Sequence, residues 1–164
     1  MKTLLILRHA KSSWDNMYLS DFERPLSKRG KDDAPRMGEV LRREELVPDL
    51  IISSAAKRAV ATAQLAARAC EYENEITFTR DFYHADPDSY IEVLSEVDDE
   101  VASVMVVGHN PGIEELVEQI SGVWERMPTA ALAQIQLPIE RWGDLTFDTS
   151  GELITVWRPK ELAA

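Results

Sequence analysis

Cysteine is almost absent from this chain: Cys70 stands alone among 164 residues, so no intramolecular disulfide can form and no cysteine cluster has zinc-ligand spacing. Its position near the end of a predicted helix marks it as a space-filling residue. Long apolar runs are missing too. The apolar start at Met1–Leu7 is interrupted by Arg8, too short for a signal-peptide core or a membrane span, and a cytoplasmic protein with no membrane partner is expected. Positive charge is scarce: 18 Lys and Arg face 29 Asp and Glu, for a net charge of −11. Such a surface repels a phosphate backbone, which argues against nucleic acid as a partner. A small cationic pocket within it would stand out as a local focus for an anionic substrate.

What is present is ordinary for a globular chain, with 45% hydrophobic and 29% charged residues, and the length suits one domain over 1–164. Thr3–Leu7 reads as a strand buried on both faces of a parallel sheet. A long polar stretch follows from Arg8 to Arg24. Ser27 caps a helix carrying Met37, Val40, Leu41 and Leu46 and ending before Pro48. Asp49–Ser53 is a second strand, and Ala55–Cys70 a helix with Val60, Ala63, Leu65 and Ala66 inward. Ile76–Thr79 is a brief third strand, Pro87 opens a helix carrying Tyr90, Ile91, Val93 and Leu94, and Ser103–Val107 is a fourth strand. Asn110 as N-cap and Pro111 at the first helical position open a helix with Ile113, Leu116, Val117 and Ile120. Ala131–Leu137, Leu145–Asp148 and Leu153–Trp157 read as strands, the last two joined as a hairpin through Thr149, Ser150 and Gly151. The alternation predicts an α/β fold: a three-layer α/β/α sandwich with a mostly parallel central sheet and an antiparallel edge. Trp124, Trp142 and Trp157 read as core or sheet-cover residues.

In such a sheet, ligands bind beyond the carboxyl ends of the strands, where loops meet helix N-termini. Arg8 and His9 follow the first strand, Ser53, Ser54 and Arg58 the second, and Gly108–Gly112 the fourth. Two of the three histidines thus fall on one rim beside two arginines. Forked guanidiniums match the oxygens of a phosphoryl dianion, so Arg8 and Arg58 form a candidate phosphate clamp. Cationic neighbours keep an imidazole neutral, and a neutral His9 has a lone pair able to attack phosphorus, provided its other nitrogen donates to a fixed acceptor. Within Gly-His-Asn-Pro-Gly, Gly108 permits a tight strand exit or a close backbone approach, and His109 faces the pocket, able to donate to a phosphoryl oxygen.

Four segments carry a resemblance: Leu7-Arg8-His9-Ala10-Lys11-Ser12; Arg24-Pro25-Leu26-Ser27 with Gly30; Ser53-Ser54 with Arg58 and Thr62-Ala63; and Gly108-His109-Asn110-Pro111-Gly112. In them the chain resembles the histidine phosphatase superfamily, with its phosphoglycerate-mutase-like fold, and most closely the short SixA-type phosphohistidine phosphatases. The resemblance implies transient phosphorylation of His9, phosphoryl binding by Arg8, Arg58 and His109, and hydrolysis in two in-line steps with no metal or other cofactor. Many members carry glycine where this chain has Ala10, an exchange expected to narrow the pocket or alter the backbone after His9.

Ester-cleaving members commonly place a carboxylic acid after the third strand, because an alkoxide leaving group needs a proton. Here that loop reads Arg80-Asp81-Phe82-Tyr83-His84-Ala85-Asp86-Pro87, without the glutamate pattern of the mutases. His84 and Asp86, with Asp81, are the candidate proton donors, Asp86 doubling as a helix cap, and Trp14 and Tyr18 are candidate rim residues. The expected substrate is a phosphohistidine on a protein partner; a small phosphorylated metabolite or nucleotide, cleaved as a phosphomonoester, is the alternative. A phosphoprotein-binding module without turnover is the third reading.

Overall fold

The computed structural model describes residues 1–162. Its sheet has six strands: β1 (Lys2–Arg8), β2 (Leu50–Ser54), β3 (Ile76–Thr79), β4 (Ser103–Gly108), β5 (Leu132–Leu137) and β6 (Glu152–Trp157), in the order β3-β2-β4-β1-β5-β6. The first four run parallel, and β5 and β6 add an antiparallel edge. Four helices accompany them: α1 (Lys28–Arg43), α2 (Lys57–Ala69), α3 (Pro87–Ser95) and α4 (Gly112–Ser121).

The unbroken apolar run of β1 is explained by its two neighbours above and below. Side chains alternate along a strand, so Leu5 and Leu7 pack with Met37, Leu41, Ala63 and Ala66 of α1 and α2, while Leu4 and Ile6 pack with Tyr90, Leu94, Leu116 and Val117 of α3 and α4. The predicted α/β architecture is therefore present, with an apolar core on each face of the sheet. Ser27 caps α1 as expected, its hydroxyl accepting from the Gly30 amide at 3.2 Å. On α2 the buried stripe is Ala59, Thr62, Ala63 and Ala66, with Val60 and Leu65 only half-buried. Cys70 is buried at the end of this helix.

Two expectations fail at the C-terminal edge. Leu145–Asp148 is not a strand: it follows a 3₁₀ turn at Trp142–Asp144, and β6 pairs with β5 instead of with a partner across Thr149–Gly151. The Thr146 and Thr149 hydroxyls accept from the Asp148 and Thr146 amides, at 3.2 and 2.9 Å, giving this backbone local partners in place of a ladder. Among the tryptophans, Trp142 is fully buried and donates to the Val101 carbonyl at 2.7 Å, and Trp157 is half-buried. Trp124 lies in the connection after α4, beyond either core, and is 58% exposed. No helix among the described residues is long and apolar enough to cross a membrane.

Candidate active site

Strand pairing brings the two rim histidines together. Arg8 of β1 is in register with Gly108 of β4, so the next residue of each strand, His9 and His109, leaves the sheet side by side. The His9 amide donates to the Gly108 carbonyl at 3.0 Å, and the imidazole centroids lie 5.0 Å apart. Gly108 is glycine for a steric reason: a Cβ there would strike the Tyr90 hydroxyl. Arg58 reaches the same place from the first turn of α2, where it is only 6% exposed.

Arg8, His9, Arg58 and His109 all line one cavity of about 400 Å³. His9 Nδ1 donates to the Ala10 carbonyl at 2.7 Å, the fixed acceptor that sequence could not name, which leaves the lone pair on Nε2. Burial, with Arg58, Arg8 and Arg24 adding to it, pushes the His9 imidazole down to about 3 against that hydrogen bond. His109 is likewise pushed down to about 3, by burial first and then by His9 and Arg58, with Asp21 opposing. Both rings are therefore neutral at pH 7. His109 Nε2 lies 2.8 Å from the Ser54 hydroxyl.

The described residues contain three buried side-chain polar atoms without a hydrogen-bond partner: Arg8 Nε, His109 Nδ1 and Asn110 Oδ1. All three belong to residues lining this cavity. Such atoms are rare in native structures because each carries a desolvation cost, and their concentration marks the cavity as built to receive polar groups.

The remaining sequence candidates divide. Trp14 is on the rim, 72% exposed, with the Arg24 guanidinium over its ring at 3.1 Å from the centroid. Tyr18 is 93% exposed and does not line the cavity. His84 lines it, held at a positive φ of 54° with its ring 4.0 Å from that of Tyr83. Asp86 lines only a smaller neighbouring cavity; it occupies the N-cap position of α3 but makes no side-chain cap bond. Asp81 lines neither. Asn110 is not the N-cap of α4, which begins at Gly112 with Pro111 in the cap position; its amide turns instead to the Met127 carbonyl at 2.9 Å. Nor does Ala10 narrow the pocket. Its methyl is fully buried in the core, while its backbone serves the site through the bond from His9 and a 3.0 Å bond from its amide to Thr62 Oγ1.

Sequence reasoning missed Asp21 altogether and gave Arg24 no role. Asp21 starts a 3₁₀ turn, Asp21–Glu23, and its carboxylate accepts from Arg58 at 2.9 Å, Arg24 at 3.1 Å and Tyr83 at 2.6 Å. Arg24 also donates to the Ser12 hydroxyl and the Ser13 carbonyl. The spacing of Asp21 and Arg24 hints at a local pair, but nothing in sequence links Asp21 to residues 58 and 83. Burial works against the Asp21 charge, yet the Tyr83 bond and the two guanidiniums hold its carboxyl well below the usual carboxylate range. No cluster of three or more His, Cys, Asp or Glu side chains able to hold a metal ion occurs among the described residues.

Comparison with known proteins follows the same lines. The family model of the histidine phosphatase superfamily (branch 1) matches residues 4–86. An uncharacterised chloroplast protein of Arabidopsis thaliana is 32% identical over 159 residues, spanning 92% of this chain and 72% of its own. Among solved structures, a protein assigned as the phosphohistidine phosphatase SixA of Agrobacterium tumefaciens superposes with a TM-score of 0.81 at 29% identity, over 96% of this chain and 98% of its own. The protein histidine phosphatase SixA complexed with tungstate gives a TM-score of 0.84 at 22% identity, over 98% and 99% of the two chains.

Proposed function

The chain belongs to the histidine phosphatase superfamily and is a phosphatase, and from that premise we propose that it hydrolyses phosphohistidine on a protein partner in the cytoplasm, through a phosphoryl intermediate on His9. The observation that carries the choice of substrate is the state of the acid. Asp21 is the one carboxylate among the lining residues, and it is held ionised by Arg58, Arg24 and Tyr83. An ionised carboxylate cannot protonate an alkoxide, so cleavage of an ester would have no carboxylic acid and would depend on the His84 imidazole alone. The nitrogen leaving from phosphohistidine is itself basic and needs far less.

In the first step the Nε2 lone pair of His9 bonds to phosphorus as the P–N bond to the substrate imidazole breaks, and the departing nitrogen takes a proton. Water then attacks phosphorus, the P–Nε2 bond breaks with its electrons returning to His9, and the proton that water gives up restores the donor. Inorganic phosphate leaves. Arg8, Arg58 and a proton on His109 stabilise the charge on the phosphoryl oxygens in both transition states. If Ser54 donates to His109 Nε2, that proton sits on the partnerless Nδ1. His84, on the exposed side of the cavity, is the proposed proton donor. The Agrobacterium tumefaciens protein assigned as SixA, at 29% identity, supports the same substrate class.

The test is phosphate release from a histidine-phosphorylated protein against a panel of phosphomonoesters, all with chelator present. Preference for the phosphohistidine is expected. Preference for the esters would transfer the assignment to a phosphomonoesterase.

A further inference from the structure

Asp21 presents a chemical problem: a fixed anion inside a pocket for an anion. Its side chain is 43% exposed, and both carboxylate oxygens are engaged, Oδ1 by Arg24 and Oδ2 by Arg58 and Tyr83. The Asp21 carbonyl takes a further bond from Arg58 at 2.6 Å. A guanidinium has five N–H donors, so Asp21 engages two of those on Arg58 and leaves the rest for a ligand.

The polar lining is therefore of two kinds. Arg8, His109 and Asn110 each carry one partnerless polar atom, two of them nitrogens and the third the Asn110 amide oxygen. Arg24 and Arg58, by contrast, are already paired with a carboxylate. A single phosphoryl group is served by the donors Arg8 Nε and His109 Nδ1 together with the unspent donors of Arg58. A second anionic group attached to the same phosphorus, or close to it, would meet Asp21 where it reaches for Arg24 and Arg58. Lys11 also lines the cavity, but its exposed side chain is free to follow solvent, whereas Asp21 is held by three hydrogen bonds to its carboxylate.

We propose that Asp21 is a specificity-determining residue, a built-in counter-anion that admits a lone phosphoryl group on a neutral or cationic carrier and rejects one with a second anion beside it. This rests on the phosphoryl-binding reading of the cavity and deepens it. It explains why a carboxylate that cannot serve as an acid occupies the site. It also fits an imidazole carrier, which brings no negative charge of its own.

Binding separates this role from simple bracing of the loop. Calorimetric titration of orthophosphate and pyrophosphate into the full chain gives an affinity ratio for wild type, Asp21→Asn and Asp21→Glu. Asn keeps the shape and one acceptor but removes the charge. In Asp21→Asn, pyrophosphate is expected to gain about tenfold or more relative to orthophosphate, the scale of one unit charge removed within a few ångströms in a partly screened site. Asp21→Glu is expected to keep the wild-type ratio. An unchanged ratio in Asp21→Asn, or a loss shared equally by both anions, would overturn the proposal; Asp21→Ser in the same titration serves if the Asn variant proves insoluble. Absence of orthophosphate binding to wild type would instead overturn the phosphoryl pocket itself, and neither result depends on which substrate is turned over.

Discussion

His9, His109 and Arg58, on the floor of the cavity, leave the ends of β1 and β4 and the first turn of α2, and each is less than a tenth exposed. Trp14, Asp21 and His84, at its mouth, sit on irregular segments and 3₁₀ turns and are all exposed. The floor is fixed by the sheet: once β1 and β4 are parallel neighbours in register at Arg8 and Gly108, the two imidazoles have to meet. The mouth is fixed by side-chain bonds between segments far apart in sequence, such as Tyr83 to Asp21. Substitutions on the floor should therefore remove chemistry, and those at the mouth should shift selectivity or nothing at all.

The largest expected effect is at His9. Replacement by Ala removes the proposed nucleophile and should cost at least about 10⁴-fold in turnover while phosphate binding is partly kept, because Arg8, Arg58 and His109 remain. Single-turnover assays with phosphate titration check both halves, and persistent turnover in this variant would sink the mechanism. Arg58→Ala comes next, at about 10²–10³-fold in kcat/KM with phosphate affinity also weakened, since a forked donor to the transition state is lost. This variant also frees Asp21 from its shortest guanidinium contact, so steady-state kinetics should show KM rising as well as kcat falling.

The same burial has a consequence for stability. Both floor histidines have folded-state values near 3 against an ordinary 6.5, so the unfolded chain binds more protons between those limits. Their contribution is complete above pH 6.5 and is lost as pH falls toward 3. Unfolding at pH 4.5 should be easier than at pH 7 by up to roughly 2–3 kcal/mol per ring. Asp21 titrates below this window, so denaturant melts of wild type and of the His9→Asn variant, compared across pH 4.5–7, isolate the imidazole effect.

What could be read in sequence follows the same division. The strand-end rule found Arg8, His9, Arg58 and His109 because their positions depend only on where β1, β2 and β4 stop. It named neither Ala10 O as the partner of His9 nor Asp21 as the partner of Arg58, since both depend on tertiary approach. The Leu145–Asp148 strand was misread for a related reason: its pattern suits a strand, but the Thr146 and Thr149 hydroxyls offered the backbone a local alternative that pattern does not record. Asn110 has the chemistry of a cap, but α4 begins at Gly112 with Pro111 in the cap position, and the Asn110 amide donates to the Met127 carbonyl instead.

At the mouth, His84→Gln tests how little help the leaving group needs. For phosphohistidine the loss in kcat should stay within about tenfold, whereas residual activity on an alkyl ester should fall by about 10²-fold, the lower end of general acid catalysis. Equal losses on both substrates would erase the contrast between floor and mouth drawn here, because His84 would then act on the phosphoryl group common to the two.

The smallest effects compare two cap positions. Ser27 accepts from the Gly30 amide and donates to the Lys11 carbonyl at 3.1 Å, so it both starts α1 and ties that helix to the loop after His9. Gly30 lies so close to the same carbonyl that a side chain there would collide with it. Ser27→Ala should cost about 1 kcal/mol, as loss of a working cap does. Asp86 occupies the equivalent position before α3 yet bonds to none of its free amides and lies outside the main cavity. Asp86→Ala should therefore change stability by less than about 0.5 kcal/mol, the range of ordinary surface substitutions, and leave turnover of phosphohistidine as it was. Matched thermal melts decide the stability comparison, and a loss of turnover in Asp86→Ala would restore Asp86 as a proton donor in place of His84.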